Sequence, residues 1–301
     1  MQTKKWIALL FTLACASPSQ AYVIATTTTG QGSKWEPGPN AASFFNPATP
    51  PGTPGSATWS LMPVGVPISL GDQAPLHNPG VLSTSVVGMT GQPDVDGQPY
   101  EIWAINDALS KWASVSGFTN LGQVADGPDV GGGSGLCGGV FNGCVDVGNI
   151  RIGAYPFNLS GGTVITAHAF QPGTTALGNF GSIGGDVHFN NDQNAAVPNQ
   201  VDWVNDPSDV SGDRSIDFYT VVLHEMGHAL GLGHSADEDS VMALYSVRGG
   251  ALRDLSADDI AGIQAIYGPR VAVPEPGALA LLAAGLLGLC LSMRRRNYRF
   301  G

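Results

Sequence analysis

The amino-acid sequence predicts an α+β fold, in which a small sheet is combined with a few helices. Two segments, 100–114 and 217–235, carry apolar residues at three- and four-residue steps, which is the period of an amphipathic helix. Stretches rich in β-branched and aromatic residues predict strands at 57–66, 118–124, 149–152, 163–170 and 185–189. The 42 glycines and 21 prolines among 301 residues indicate many turns and argue against a helical bundle.

Two of the predicted helices, one near the start of the domain and one at its end, have clear local signals. The helix at 100–114 is expected to bury the residues that share its apolar face, Ile102, Ile105, Leu109 and Trp112. A closing helix is predicted over 256–268, where Ser256 suits the N-cap and the following acids suit the first turn. Its expected buried face consists of Ile260, Ile263 and Ile266.

The first 21 residues have the pattern of an export signal. Lys4 and Lys5 precede an apolar run over 6–16, and the small residues Ser19 and Ala21 suit a cleavage site. We therefore expect residues 1–21 to be a signal peptide that is removed after Ala21.

Residues 22–56 form a second unit, an N-terminal arm rich in Thr, Pro, Gly and Asn without a sustained period. Trp35 is the candidate that would dock this arm on the domain, and both an ordered and a loose arm fit the sequence. The main domain then extends over 57–270. Pro63 places the strand predicted at 57–66 at a sheet edge or ends it.

The helical segment 217–235 carries the residues with the clearest chemistry. His224 and His228 are four residues apart, which stacks both imidazoles on one helix face, and Glu225 lies beside them. Gly231 can supply the left-handed residue that ends the helix and brings His234 back toward the same point. Three neutral imidazoles and an open fourth position are typical of a catalytic Zn²⁺ site.

The two cysteines in the body of the chain, Cys137 and Cys144, lie in one glycine-rich loop. In an exported chain such cysteines can pair, and no neighbouring His or Cys completes a metal-ligand set. We therefore predict a disulfide between them rather than a metal site. A ring this short would restrain the loop more than it would stabilise the fold.

The C-terminal segment 271–301 contains a Pro-Glu-Pro sequence at 274–276, an apolar run at 277–293 and three arginines at 294–296. By length and flanking charge the run could be a plain membrane anchor. The order of the three parts resembles the PEP-CTERM sorting signals of Gram-negative bacteria. The resemblance implies transient insertion of the C-terminal helix into the inner membrane, cleavage by an exosortase-type processing enzyme, and delivery to the cell surface or extracellular matrix.

The net negative charge of the chain excludes some classes of binding partner. The chain has a formal net charge of −11 at pH 7, which argues against binding to nucleic acid or to anionic lipid. A protein or peptide substrate is compatible with this charge.

Three features together resemble the metzincin metalloproteases, and within them the matrixins. They are the sequence H-E-M-G-H-A-L-G-L-G-H-S at 224–235, Met242 eight residues after His234, and the closing segment L-S-A-D-D-I-A-G-I-Q-A-I-Y-G at 255–268. The resemblance implies a twisted, mostly parallel five-stranded sheet with about three helices and a zinc cleft on the active-site helix. It also implies that Met242 lies beneath the imidazoles as a Met-turn.

The same resemblance implies a zinc endopeptidase. The metal ligands would be His224, His228 and His234, and Glu225 would act as the general base on a metal-activated water. Two other classes stay open from the sequence. One is a catalytically weak or inactive, zinc-stabilised cell-surface or matrix protein, and the other is a non-peptidase zinc hydrolase.

The sequence departs from the matrixin pattern at the secondary metal sites. Arg151 and Gly153 stand where the family usually has His-x-Asp, so that only His168 and His188 would remain of a second zinc site. We therefore expect one zinc. The usual calcium-loop acids are also thinned after His188, which implies weak Ca²⁺ binding or none.

Overall fold

The computed structural model describes most of the predicted domain and part of the arm. The described residues are 21–26, 30–37, 42–44, 50–68, 80–126, 148–157, 165–172, 183–191, 201–205, 215–244 and 251–270. The predicted signal peptide before Ala21, the Cys137–Cys144 disulfide and the C-terminal segment 271–301 lie outside them. Within the described ranges, no helix is long and apolar enough to cross a membrane.

The described ranges contain nine strands and three helices. In chain order they are β1 Ser33–Trp35, β2 Ala42–Phe44, β3 Gly55–Leu61, α1 Tyr100–Val115, β4 Phe118–Gln123, β5 Ile150–Tyr155, β6 Ala167–Ala169, β7 Val187–Asn190, β8 Asp202–Val204, β9 Ser215–Asp217, α2 Phe218–Ala229 and α3 Ala257–Tyr267. The strand pairs β1–β2 and β8–β9 were not expected from the sequence.

The main sheet has five strands in the order β4-β3-β5-β7-β6. The pairs β3–β4, β3–β5 and β5–β7 are parallel, and β6 runs antiparallel to β7 at the edge. This confirms the predicted α+β fold with a mostly parallel five-stranded sheet and three helices. β3 is an interior strand that ends before Pro63, so the edge position considered for that strand is wrong.

Helix α1 packs its predicted apolar face against α2. Ile105, Leu109 and Trp112 are buried as expected, and Ile102 is partly buried. The Trp112 indole Nε1 also donates a hydrogen bond to the Leu223 carbonyl at 3.0 Å. This bond joins α1 to α2 at the residue before His224.

The N-terminal arm docks on the domain through the described part of its chain. Trp35 is 2% exposed, and its Nε1 donates to the Ala229 carbonyl at the end of α2 at 2.9 Å. The backbone N–H groups of Tyr22, the first residue of the arm, and of the preceding Ala21 donate to Asp258 Oδ1 at 2.8 and 2.9 Å. The described arm therefore contacts both the histidine helix and α3.

Candidate metal centre

The start of helix α2 is fixed by a capped and ion-paired carboxylate. Asp217 accepts a hydrogen bond from the Thr220 backbone N–H at 2.9 Å, as an N-cap residue does. The Arg253 guanidinium contacts the same carboxylate through Nη2 at 2.5 Å and Nε at 3.1 Å. These contacts fix the first turn of α2, which precedes His224 in the chain.

The end of α2 is a Schellman motif centred on Gly231. The N–H of Leu232 donates to the Gly227 carbonyl and the N–H of Gly231 to the His228 carbonyl, both at 2.9 Å. Gly231 has a φ of +108°, and a Cβ there would lie 2.8 Å from the Ser33 carbonyl oxygen. A side chain is therefore excluded at the turn that leads the chain to His234, as the sequence predicts.

The three imidazoles converge on one point. One nitrogen atom from each of His224, His228 and His234 lies within 4.8 Å of the other two. The Nε2 atoms of His228 and His234 are 3.2 Å apart. Nitrogens bound to one tetrahedral Zn²⁺ at about 2.0–2.1 Å are separated by about 3.3 Å, so this pair is already at ligand spacing.

Backbone carbonyls determine which nitrogen of each helix histidine is available. His224 Nδ1 lies 2.7 Å from the Val241 oxygen, and His228 Nδ1 lies 2.8 Å from the Leu232 oxygen. A carbonyl oxygen can only accept, so both Nδ1 atoms are assigned the proton. The Nε2 lone pairs of His224 and His228 are then left for a metal ion.

Desolvation favours the neutral form of the buried His224 and the half-buried His228, and to some degree that of the exposed His234. Desolvation lowers the pKa of His224 to about 4, although the Val241 carbonyl and the negative charge of Asp259 oppose the shift. Desolvation also lowers the pKa of His228 well below its ordinary value, and that of His234 to a smaller extent. Neutral imidazole is the metal ligand, so protons compete weakly for these sites.

Glu225, the residue after His224, carries a buried carboxylate. Its side chain is on α2 and the residue is 4% exposed, and Oε2 has no hydrogen-bond partner in the described part of the chain. Desolvation raises the pKa of Glu225 to about 8. Buried polar atoms are normally hydrogen-bonded, and a metal-bound water would supply a partner for this oxygen. The three histidines and Glu225 therefore fit a catalytic zinc ion.

Met242 lies against the helix turn between the two helix histidines. It is 2% exposed, and a Cβ placed on Gly227 would be only 2.3 Å from the Met242 Sδ. The Met242 carbonyl also accepts from the N–H of Ser235, the residue after His234, at 2.8 Å. The methionine therefore packs on the ligand-bearing helix and joins it to the third-ligand loop.

The region where the family usually has a second zinc contains a buried ion pair. Arg151 Nε and Nη2 lie 2.9 and 2.8 Å from Asp126, and the two side chains are 0% and 2% exposed. Burial alone lowers the pKa of Arg151, but the hydrogen bond to Asp126 and the charge of Asp186 outweigh this and raise it. Sequence reasoning singled out Arg151 but not its partner Asp126, since no local pattern joins residues 25 positions apart.

The two histidines left at that region are packed among aromatic rings. His168 and His188 face each other across β6 and β7, with ring centroids 5.0 Å apart, and Tyr155 lies 4.6 Å from His188. A Cβ at Gly153 would lie 2.7 Å from Met62 Sδ. Within the described residues, the one group of three or more potential metal ligands is the His224 site. The absence of a second zinc stays a prediction, which this packing supports.

The expected calcium loop is only partly described. The Asn190 side chain donates to the Ile165 carbonyl at 3.0 Å, and Asp186 is buried. The following segment, 192–200, lies outside the described residues. Weak or absent calcium binding therefore stays a prediction.

Comparison with known proteins agrees with this geometry. Residues 150–268 match the family model described as matrixin. The chain contains a matrixin domain. This confirms the resemblance found in the sequence. Residues 272–296 match the PEP-CTERM protein-sorting motif, and this motif implies export.

Several vertebrate matrixins are similar to the domain. The chain is 41% identical to interstitial collagenase of Sus scrofa over 121 residues, which are 40% of this chain and 21% of that protein. It is 39% identical to matrilysin of Homo sapiens over 120 residues, which are 39% of this chain and 36% of that protein. The matches thus span about a fifth to a third of the lengths of these relatives.

Proposed function

We propose that this protein is an exported zinc-dependent endopeptidase. The observation that carries the proposal is the convergence of three imidazoles, together with a buried oxygen of Glu225, the residue after His224, that has no partner among the described residues. Interstitial collagenase and matrilysin are similar to the domain in sequence. A protein or peptide is therefore the proposed substrate class, and the acidic chain is not expected to bind nucleic acid.

In the proposed mechanism, His224, His228 and His234 hold one Zn²⁺ through their Nε2 atoms. When bound, the zinc ion lowers the pKa of a water molecule and polarises the scissile carbonyl as a Lewis acid. Glu225 accepts the proton of the attacking water and then donates it to the leaving amine.

Chelation tests the proposal directly. The purified protein is expected to cleave a generic substrate such as casein, to stop when a zinc chelator is added, and to recover when Zn²⁺ is restored. Full activity in the chelator would refute a zinc peptidase. Zinc binding without cleavage would instead favour the zinc-stabilised surface protein considered from the sequence.

Processing at both ends is part of the proposal. Removal of residues 1–21 would leave the α-amino group of Tyr22 where its backbone nitrogen now contacts Asp258, so the new positive charge would face a carboxylate. At the other end, an exosortase-type enzyme would cut near the Pro-Glu-Pro sequence after transient membrane insertion. We expect intact-mass measurement of protein recovered from the cell surface to show an N-terminal Tyr22 and loss of the arginine cluster. An unprocessed mass would contradict both cuts.

A further inference from the structure

A buried carboxylate on helix α3 reaches the metal centre through the main chain. Asp259 is 1% exposed and lies in the first turn of α3. Its Oδ2 accepts from the Val241 N–H at 2.9 Å, and its Oδ1 accepts from Ser240 Oγ at 2.5 Å and from the Met242 N–H at 3.3 Å. Three consecutive residues of the Met-turn therefore donate to one carboxylate.

One peptide group joins this carboxylate to a predicted zinc ligand. The carbonyl of Val241 and the N–H of Met242 belong to the same peptide bond. The carbonyl end accepts from His224 Nδ1 at 2.7 Å, and the N–H end donates to Ser240 Oγ at 2.9 Å and to Asp259 Oδ1 at 3.3 Å. The Asp259 carboxylate thus contacts the peptide group, and the peptide group contacts His224 Nδ1. The other ring nitrogen, His224 Nε2, is the one left for a metal ion.

Helix capping accounts for only part of this arrangement. Asp259 also accepts from the Ser256 N–H at 2.8 Å, and Ser256 Oγ accepts from the Asp259 N–H at 3.1 Å, which completes a capping box. A capping box needs neither of the bonds from Val241 and Met242. Those bonds make Asp259 a contact of the metal-ligand shell as well as of its own helix.

The negative charge of Asp259 polarises the peptide group between Val241 and Met242. In the described part of the chain, no basic side chain forms an ion pair with Asp259. A buried anion without a cation must be stabilised by hydrogen bonds, and the Val241–Met242 peptide is polarised by it. Polarisation makes the Val241 oxygen a stronger acceptor for the His224 Nδ1 proton, which raises the electron density at Nε2.

We propose that Asp259 is a positioning residue for the metal centre, which orients His224 and strengthens its Nε2 as a zinc ligand through the Val241–Met242 peptide. The role is the one that a carboxylate plays when it contacts a metal-binding histidine directly, with one peptide group inserted between them. This inference rests on the proposed function, because it requires that the histidines bind zinc.

The test compares two charge-removing variants of buried, hydrogen-bonded carboxylates. Asp259→Asn keeps the size of the side chain and removes the charge. The matched control is Glu101→Gln, since Glu101 is also 1% exposed, lies in the first turn of α1 and accepts from the Thr90 N–H at 3.0 Å and the Thr90 hydroxyl at 2.6 Å. Both variants are expected to lower the melting temperature of the metal-free protein.

Zinc affinity distinguishes a positioning role from a structural one. In competition with a zinc-binding indicator, Asp259→Asn is expected to raise the zinc dissociation constant about 10- to 100-fold, whereas Glu101→Gln leaves it unchanged. In ¹⁵N NMR of the zinc-loaded protein, the His224 Nδ1 resonance is expected to move only in Asp259→Asn. Unchanged zinc affinity and an unmoved His224 resonance in a folded Asp259→Asn protein would overturn the inference.

A second variant covers the case in which Asp259→Asn does not fold. Ser240→Ala removes one donor to Oδ1 and one of the two acceptors of the Met242 N–H, but it keeps the carboxylate charge and leaves Asp259 as the acceptor of that N–H, so the zinc dissociation constant is expected not to rise. A tenfold weaker affinity in Ser240→Ala would show that packing of the turn, and not the charge of Asp259, controls the site. Failure of the wild-type protein to bind zinc would instead refute the proposed function.

Discussion

Glu225→Gln is expected to abolish measurable proteolysis while zinc binding is retained. The variant keeps the shape of the buried side chain but removes the group that would accept the proton of the attacking water. General-base catalysis contributes about 10²- to 10⁴-fold to a rate, so kcat on a casein or peptide substrate should fall by that factor. Zinc content, measured on the same protein, should stay at one ion per chain because the three histidines are unchanged.

The control for this prediction is Glu238→Gln, an exposed glutamate in the loop after His234. It makes the same chemical change close in sequence to the third ligand, and full activity is expected. Undiminished cleavage by Glu225→Gln would exclude Glu225 as the base. Loss of zinc together with activity would show that Glu225 is needed to hold the site and not only for proton transfer.

Asp126→Asn is expected to destabilise the domain by about 3–5 kcal/mol, because it removes the anion that is hydrogen-bonded to the buried Arg151 guanidinium and leaves only the charge of Asp186 to balance it. The pair is inside the protein, where water cannot replace the lost partner. Urea unfolding monitored by tryptophan fluorescence would measure the loss as a lower midpoint at constant slope. Stability near that of the wild type would mean that the charge of Asp186 is sufficient to balance Arg151.

Two further variants test whether the loss of stability comes from the buried unpaired charge. The double change Arg151→Met with Asp126→Leu removes both charges and should recover most of the stability lost in Asp126→Asn. The exposed pair Lys111–Asp254, at 3.1 Å and with Asp254 98% exposed, provides the matched control. Asp254→Asn is expected to leave the unfolding midpoint unchanged, because solvent screens that pair.

Local signals in the sequence were sufficient for the helices and for the ligand spacing. His224 and His228 share a face because they are four residues apart on a helix, and Gly231 ends that helix because its conformation disfavours any side chain. The capping box at Ser256 is equally local. Each of these features depends on residues within one or two helical turns, so the chain order specifies them directly.

The resemblance to a known family added the strand arrangement and the place of Met242. Periodicity alone did not give the order β4-β3-β5-β7-β6, since parallel strands pair across long connections. The periodicity of the sequence also did not predict β8 and β9, which have three residues each. Strands this short carry too few residues for an alternating pattern to appear.

The sequence by itself determined which residues can bind zinc: three histidines at fixed spacing with a glutamate among them. Only the tertiary structure decided what tunes and supports them, because those contacts join segments far apart in the chain. Asp259 meets Val241 across 18 positions, Arg151 meets Asp126 across 25, and Trp35 meets Ala229 across 194. Burial of polar groups requires partners with matching charge, and folding selects those partners by position in space and not by distance along the sequence.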